Sequence, residues 1–149
     1  MLLEAGLPRA FKILRKQSGK TEWKFGWRHT ETSRRQAMQI VSEAGCPEIS
    51  VVWDPANAFT DGKEQPFGVA RAFGGALRHV HLRDLEHSSA EWKPVLTGEG
   101  TFPLREIVEE LQEVGYGGFL SFEWEKKWRP ALAEPELAIP HFAEWFRKN

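Results

Sequence analysis

Three short strand-like runs constrain this chain more than any other feature. Residues 49–53 (ISVVW), 78–82 (RHVHL) and 118–122 (GFLSF) are too short for helices, and each is bounded by turn-forming or polar residues. A continuous apolar run such as ISVVW suits a strand buried on both faces. Helical patterns alternate with these runs. Ser33 and Gln36 form a Ser-x-x-Gln capping box before Ala37, Ile40, Val41 and Ala44, and Gly45 and Pro47 end that helix. Pro66 can start a second helix, carrying Val69, Ala70 and Phe73 and ending loosely at Gly74-Gly75. Pro103 opens a third, with Leu104, Ile107, Val108, Leu111 and Val114 as its stripe. Pro135 opens a fourth, with Leu137, Ile139, Phe142, Trp145 and Phe146 on its apolar side. Its acidic start (Glu134, Glu136) and basic end (Arg147, Lys148) suit the helix dipole. Strands alternating with helices in this way predict parallel β-α units.

The N-terminal region is patterned more weakly. Ala10, Phe11, Ile13 and Leu14 predict a short helix after Pro8 that ends by Gly19. Residues 21–27 (TEWKFGW) alternate and predict a half-buried strand with Trp23, Phe25 and Trp27 on one side. Residues 1–35 carry a net charge of +6, so the remaining residues carry −7. Such an arm can meet a polyanion, but a solvated segment is the expected reading. The lone Cys46 excludes an internal disulfide and a cysteine-based zinc cluster. No apolar run reaches the roughly 18 residues a membrane span requires, and no secretory leader is recognisable, so a cytoplasmic location is expected. At 149 residues the chain has the length of one domain. It is too short to close an eight-stranded (β/α) barrel, which takes roughly 200–250 residues.

Asp54, His81 and Glu123 share a position. Each lies at or just past the C-terminal end of a strand-like run. In a parallel sheet these ends sit side by side on the face where α/β proteins bind ligands. A carboxylate, an imidazole and a second carboxylate converging there would suit a hard or borderline divalent ion such as Mn²⁺, Mg²⁺ or Co²⁺. Each residue also has an ordinary structural use. An Asp after a strand caps helices, a strand His can bond backbone in a core, and a Glu can be a surface charge. Glu22 lies 32 residues before Asp54, one repeat away, but it falls near the start of its predicted strand, the wrong end for this face.

From about residue 30 onward the sequence resembles the C-terminal half of the sugar phosphate isomerase/epimerase family of xylose isomerase-like barrels. The motifs that carry the resemblance are VVWDPANAF (51–59), RHVHLRD (78–84), GEGTFPLREIVEELQEVGYGGFLSFEWE (98–125) and EPELAIPHF (134–142), in the family's order and spacing. The resemblance implies an α/β fold: a partial (β/α)8 TIM barrel of three to four parallel β-α units, not closed within one chain. It divides the chain into a poorly matched segment, 1–30, and a half-barrel, 31–149.

The same resemblance implies a divalent metal (Mn, Mg or Co, with Zn an option) held by Asp54, His81 and Glu123, with Glu123 also as an acid–base residue. The family's fourth ligand, an earlier Glu, has only Glu22 as a candidate. Asn57, His79, Arg83 and Trp124 become substrate-binding candidates. Asn57 stands where several members have a His, and Arg83 where a Lys is common. His87 stands where the epimerases have an Arg. Trp53 reads as core, whereas Trp124 and Trp128 can wall a sugar site. The expected substrate is a small sugar or sugar phosphate, interconverted by proton transfer alpha to a carbonyl. The alternative is an inactive truncated or repurposed module that binds sugar or metal.

Apurinic endonucleases of the family carry an additional His shortly before the GEG motif. Here residues 93–97 contain none, so a nucleic-acid substrate is not expected. An open half-barrel exposes strand edges, so association with a second copy or a complementary half-barrel is expected.

Overall fold

The computed structural model describes residues 11–15, 34–46, 49–61, 63–89 and 91–149. Four strands form one sheet in the order β1 (Phe11–Arg15), β2 (Ile49–Trp53), β3 (Leu77–Leu82), β6 (Phe119–Phe122). β3 runs parallel to both β2 and β6. This is the expected α/β sheet of parallel β-α units, and no closed barrel forms among the described residues. Among the described residues five α-helices accompany the strands: α1 (Arg34–Ala44), α2 (Pro55–Thr60), α3 (Val69–Phe73), α4 (Leu104–Glu113) and α5 (Pro135–Lys148). None of them is long and apolar enough to cross a membrane.

β1 departs from the expectation. Its residues, read as part of a helix, form a strand that pairs antiparallel with β2, with Ile13 opposite Val51. A short segment with three apolar residues, Phe11, Ile13 and Leu14, fits either helix or strand by pattern alone. The free edge of β2, whose backbone groups need partners, decides for the strand. The parallel units therefore number three, and the fourth sheet strand is antiparallel. The strand expected at 21–27, together with Ser33 and Pro47, lies outside the described residues.

The core explains which patterns held. Val51, Val52 and Trp53 of β2 are essentially inaccessible, as a strand covered on both faces requires. Trp53 is thus a core residue. Val80 and Leu82 of β3 pack into the same cluster as Leu104, Ile107, Val108 and Leu111 of α4. α5 turns a face made of Ala138, Phe142, Trp145 and Phe146, spaced i, i+4, i+7 and i+8, toward this core. Phe142 stacks on Phe122 of β6 with ring centroids 4.6 Å apart. Leu137 and Ile139, expected on the buried side, lie off that face and are exposed.

Two elements were not legible as such. Residues 84–95, read as loop, form a hairpin of β4 (Asp84–Ser88) and β5 (Glu91–Val95), with Ser88 opposite Glu91. Its two-residue turn begins at Ser89, which has φ +52°. Turns of this kind are usually signalled by Asn or Gly, and here neither is present. Pro94 is tolerated because β5 has a free side in this two-stranded sheet. α2 is the other missed element. Six residues are too few to show a helical stripe, although Asp54 before Pro55 is an N-cap and first-position pair.

The glycines of the Gly98-Glu99-Gly100 motif serve the fold. Buried Asp84 accepts hydrogen bonds from the backbone N–H groups of Leu85 (2.8 Å), Gly98 (2.7 Å) and Gly100 (3.0 Å). Burial raises its carboxyl pKa, while these three donors oppose the rise. Gly98 has φ +89°, and a Cβ there would stand 2.6 Å from the Trp145 ring. A Cβ on Gly100 would collide with the Leu85 carbonyl and the Asp84 carboxylate. Gly100→Ala is therefore expected to destabilise the chain by about 1–3 kcal/mol. Thermal unfolding should show a fall of about 2–4 °C per kcal/mol. An unchanged midpoint would contradict this account of the motif.

Candidate functional site: a carboxylate–histidine cluster at the strand ends

Parallel pairing and the two-residue strand period together build the site. His81 lies opposite Ser121, and His79 opposite Phe119. Alternation puts His79, His81, Ser121 and Glu123 on one face of the sheet. The rungs are visible as contacts: His79 Nε2 lies 2.6 Å from Ser121 Oγ, and His81 Nδ1 lies 2.8 Å from Glu123 Oε2. The two imidazoles meet edge to face, with centroids 5.0 Å apart. Glu123 follows β6, and its backbone N–H donates to Leu82 O (2.9 Å), which extends the β3–β6 ladder to the site.

Asp54 follows β2 and caps α2. It is 4% exposed. One of its oxygens accepts from the backbone N–H of Asn57 at 2.8 Å, and the other accepts from the Asn57 side-chain amide. Asp54 is thus a helix cap and also lies in the cluster with His81 and Glu123. One donor atom from each of Asp54, His81 and Glu123 lies within 4.8 Å of the others.

Arg83 completes the cluster. It is 5% exposed. Its Nη1 lies 3.0 Å from Glu125 Oε1 and 3.7 Å from Glu123 Oε1, and its Nη2 donates to Asn57 Oδ1. Arg129 approaches Glu125 from the more exposed side, at 3.1 Å. Neither Glu125 nor the Arg83–Asn57–Asp54 chain was singled out from the sequence. The signal available was two-residue spacing: Glu125 follows Glu123, and Arg83 follows His81, in the same register.

The electrostatics split the two site carboxyls. Burial pushes Asp54 up to about 7, against the pull of Arg83 and with added repulsion from Glu123. Burial acts upward on Glu123 too, but the His81 hydrogen bond and the Arg83 charge outweigh it and hold that carboxyl down at about 2. Glu123 is therefore the acceptor in its bond with His81. The imidazole proton sits on Nδ1, and in the neutral ring the lone pair is on Nε2.

The remaining candidates are placed as follows. Asn57 has both ends of its amide engaged, by Arg83 and Asp54. Trp124 donates its indole N–H to Ala133 O (2.9 Å) and stacks on Phe122. His87 is exposed on β4 and packs against Trp92. Trp128 is 74% exposed, with the Lys127 amine over its ring. Glu22 lies outside the described residues.

The fold agrees with comparison to known proteins. The family model for the xylose isomerase-like TIM barrel matches residues 20–149, and the chain belongs to that family. An uncharacterized protein of Methanocaldococcus jannaschii is 28% identical over 101 residues, which is 67% of this chain and 33% of that protein. The crystal structure of a xylose isomerase domain protein from Planctomyces limnophilus matches with a TM-score of 0.55 and 25% identity, covering 66% of this chain and 38% of that one. The chain thus spans little more than a third of the length of the relatives it matches.

The raised Asp54 gives a stability test. A carboxyl whose pKa is higher folded than unfolded costs stability as pH rises from its unfolded value, 3.8, to its folded value near 7. Asp54→Asn keeps the cap and removes that cost. The metal-free variant should exceed the parent by on the order of 1–3 kcal/mol at pH 8. In thermal melts the advantage should widen between pH 4.5 and 7.5 and then level off. Glu123, held low, makes its own contribution below pH 4.5 and so leaves this window clear. An advantage independent of pH would show that Asp54 is not strained by its burial.

Proposed function

We propose that this chain supplies the metal-binding half of a divalent-metal-dependent sugar or sugar phosphate isomerase or epimerase. The observation that carries the reading is the convergence of Asp54, His81 and Glu123 at the strand ends. The donor set suits the ion. Two donors bound at about 2.1 Å lie at most about 4.2 Å apart, so side-chain adjustments of about half an ångström bring these three into range. Mixed carboxylate and imidazole donors favour Mn²⁺, Co²⁺ or Mg²⁺, and Zn²⁺ is compatible. The negative charge also fits: Asp54, Glu123 and Glu125 face Arg83, with Arg129 further out.

Bound there, a divalent ion would polarise a sugar carbonyl and stabilise an adjacent oxyanion. The protein's own groups do the rest. Glu123, at the edge of the cluster, is the acid–base candidate for the proton alpha to that carbonyl. His81 orients the Glu123 carboxylate through the 2.8 Å bond. Asn57, His79, Arg83 and Trp124 are the candidates for hydroxyl contacts. Each already holds an intramolecular bond, so a sugar would be a second partner for it. Inverting one carbon requires proton delivery from the opposite face. Glu123 supplies one face only, which keeps binding without turnover as the second reading.

A ketose panel with Mn²⁺ or Co²⁺ separates the two. The enzyme reading expects metal-dependent interconversion that falls by at least about 100-fold in Glu123→Gln. Metal or sugar binding without turnover would leave the binding module. Asp54→Ala and His81→Ala should each weaken metal binding by 10-fold or more, since each removes a ligand. Unchanged affinity in both would show that the site is elsewhere. β6 has β3 as its one partner among the described residues, and Phe119 on it is 79% exposed. The proposal therefore includes association with a second copy or a complementary half-barrel. Light scattering after size exclusion should give a mass above 17.1 kDa, and a clean species at that mass would overturn this part.

A further inference from the structure

Arg83 is buried, yet it serves no part of the core. Its guanidinium spans the acidic side of the cluster: Nη1 toward Glu125 and Glu123, Nη2 to Asn57, and Nε without a hydrogen-bond partner among the described residues. Asn57 passes the connection on, because its backbone and side-chain N–H groups hold both oxygens of Asp54. One planar cation thereby fixes two carboxylates that come from different strands. A guanidinium suits this work, since its charge is permanent and its donors lie in a rigid fork. Buried like charges of this kind repel unless a shared proton or a nearby cation relieves them. Asp54 and Glu123 are hydrogen-bonded to each other, and Arg83 is the buried cation beside both; among the described residues Arg129, about half exposed, pairs with Glu125.

We propose that Arg83 is a positioning residue that acts as the resident counter-cation of the site. It holds Asp54 and Glu123 in place without metal, and its fixed charge lowers the affinity for the divalent ion that shares those carboxylates. The inference rests on the metal-site reading of Asp54, His81 and Glu123. It assigns Arg83 a role behind the ligands, in addition to any contact with substrate. It also explains why an Arg, with two separate donor ends, stands here: one end serves Glu125 and Glu123, the other Asn57.

The two parts of the role move in opposite directions when the charge is removed, which a merely structural residue would not do. In Arg83→Gln the metal-free protein should melt at a lower temperature, while Mn²⁺ affinity, measured by calorimetry or by the electron paramagnetic resonance of free Mn²⁺, should rise roughly tenfold. Arg83→Lys keeps the charge and should stay within about threefold of the parent affinity. Glu125→Gln leaves the Arg83 charge less compensated and should weaken Mn²⁺ binding about three- to tenfold. It decides the matter if Arg83→Gln does not fold. Parent protein that binds Mn²⁺, with Arg83→Gln equal or weaker, overturns this inference alone. So does Glu125→Gln binding as well as the parent or better. No saturable Mn²⁺ binding by the parent overturns the metal reading and this inference with it.

Discussion

Parallel pairing of β3 with both of its neighbours is the constraint on which the site depends. In a parallel ladder the strand ends fall on the same edge, and the two-residue period sends alternate side chains to one face. With His81 opposite Ser121, Glu123 must emerge on the His81 side just beyond the ladder. A one-residue slip in that register would send the carboxylate to the helix-covered face, where Val80 and Leu82 pack. The helix side of the sheet therefore does more than bury apolar area. Leu82, Ile107 and Leu104 lock the register, and the register aims the polar face.

The same division explains why so much polarity is tolerated next to a tight core. Val80 and Leu82 of β3 are inaccessible, whereas His79 and His81 are only half-buried. Each imidazole has a partner across the ladder, a hydroxyl for one and a carboxylate for the other. Asp54 is the exception, a carboxylate nearly as buried as the core itself. Its hydrogen bonds come from its own helix cap, so α2 and the site form together. It is a buried acid shifted upward beside a second acid shifted downward, so neighbouring carboxyls of one cluster differ widely in acidity.

Legibility of the sequence followed from how much each signal depended on neighbours. β2, α4 and the strand-end positions of Asp54, His81 and Glu123 could be read because burial on both faces, helical stripes and strand ends are written in consecutive residues. β1 could not, since its state is set by the free edge of β2, some 40 residues away in the chain. The β4–β5 hairpin was hidden by a turn lacking the usual residues and by the anchoring of Asp84 to Gly98 and Gly100. That long-range bond also reassigns the glycine motif: its spacing marks a family, but its physical use is to let two backbone N–H groups reach one buried carboxylate. Arg83 was visible as a replacement for Lys. Its partners were not, because Asn57 and Glu125 reach it from other strand ends.

The charge arrangement bears on how Glu123 could work as a base. A carboxylate held near 2 by His81 and Arg83 is a poor proton acceptor in this geometry. To take a proton near neutral pH, it must lose part of that stabilisation. The groups that hold it are His81, Arg83 and the hydrogen bond with Asp54, and the first two differ in what they can release. The His81 bond would be altered by any ligand that draws on the imidazole, since both ring nitrogens belong to one tautomeric system. The Arg83 contact, at 3.7 Å, is looser than the 3.0 Å contact of the same nitrogen with Glu125. The cluster is thus graded: Asp54 is fixed by its helix cap and Arg83 at two ends, whereas Glu123 meets Arg83 through the longer of that nitrogen's two carboxylate contacts.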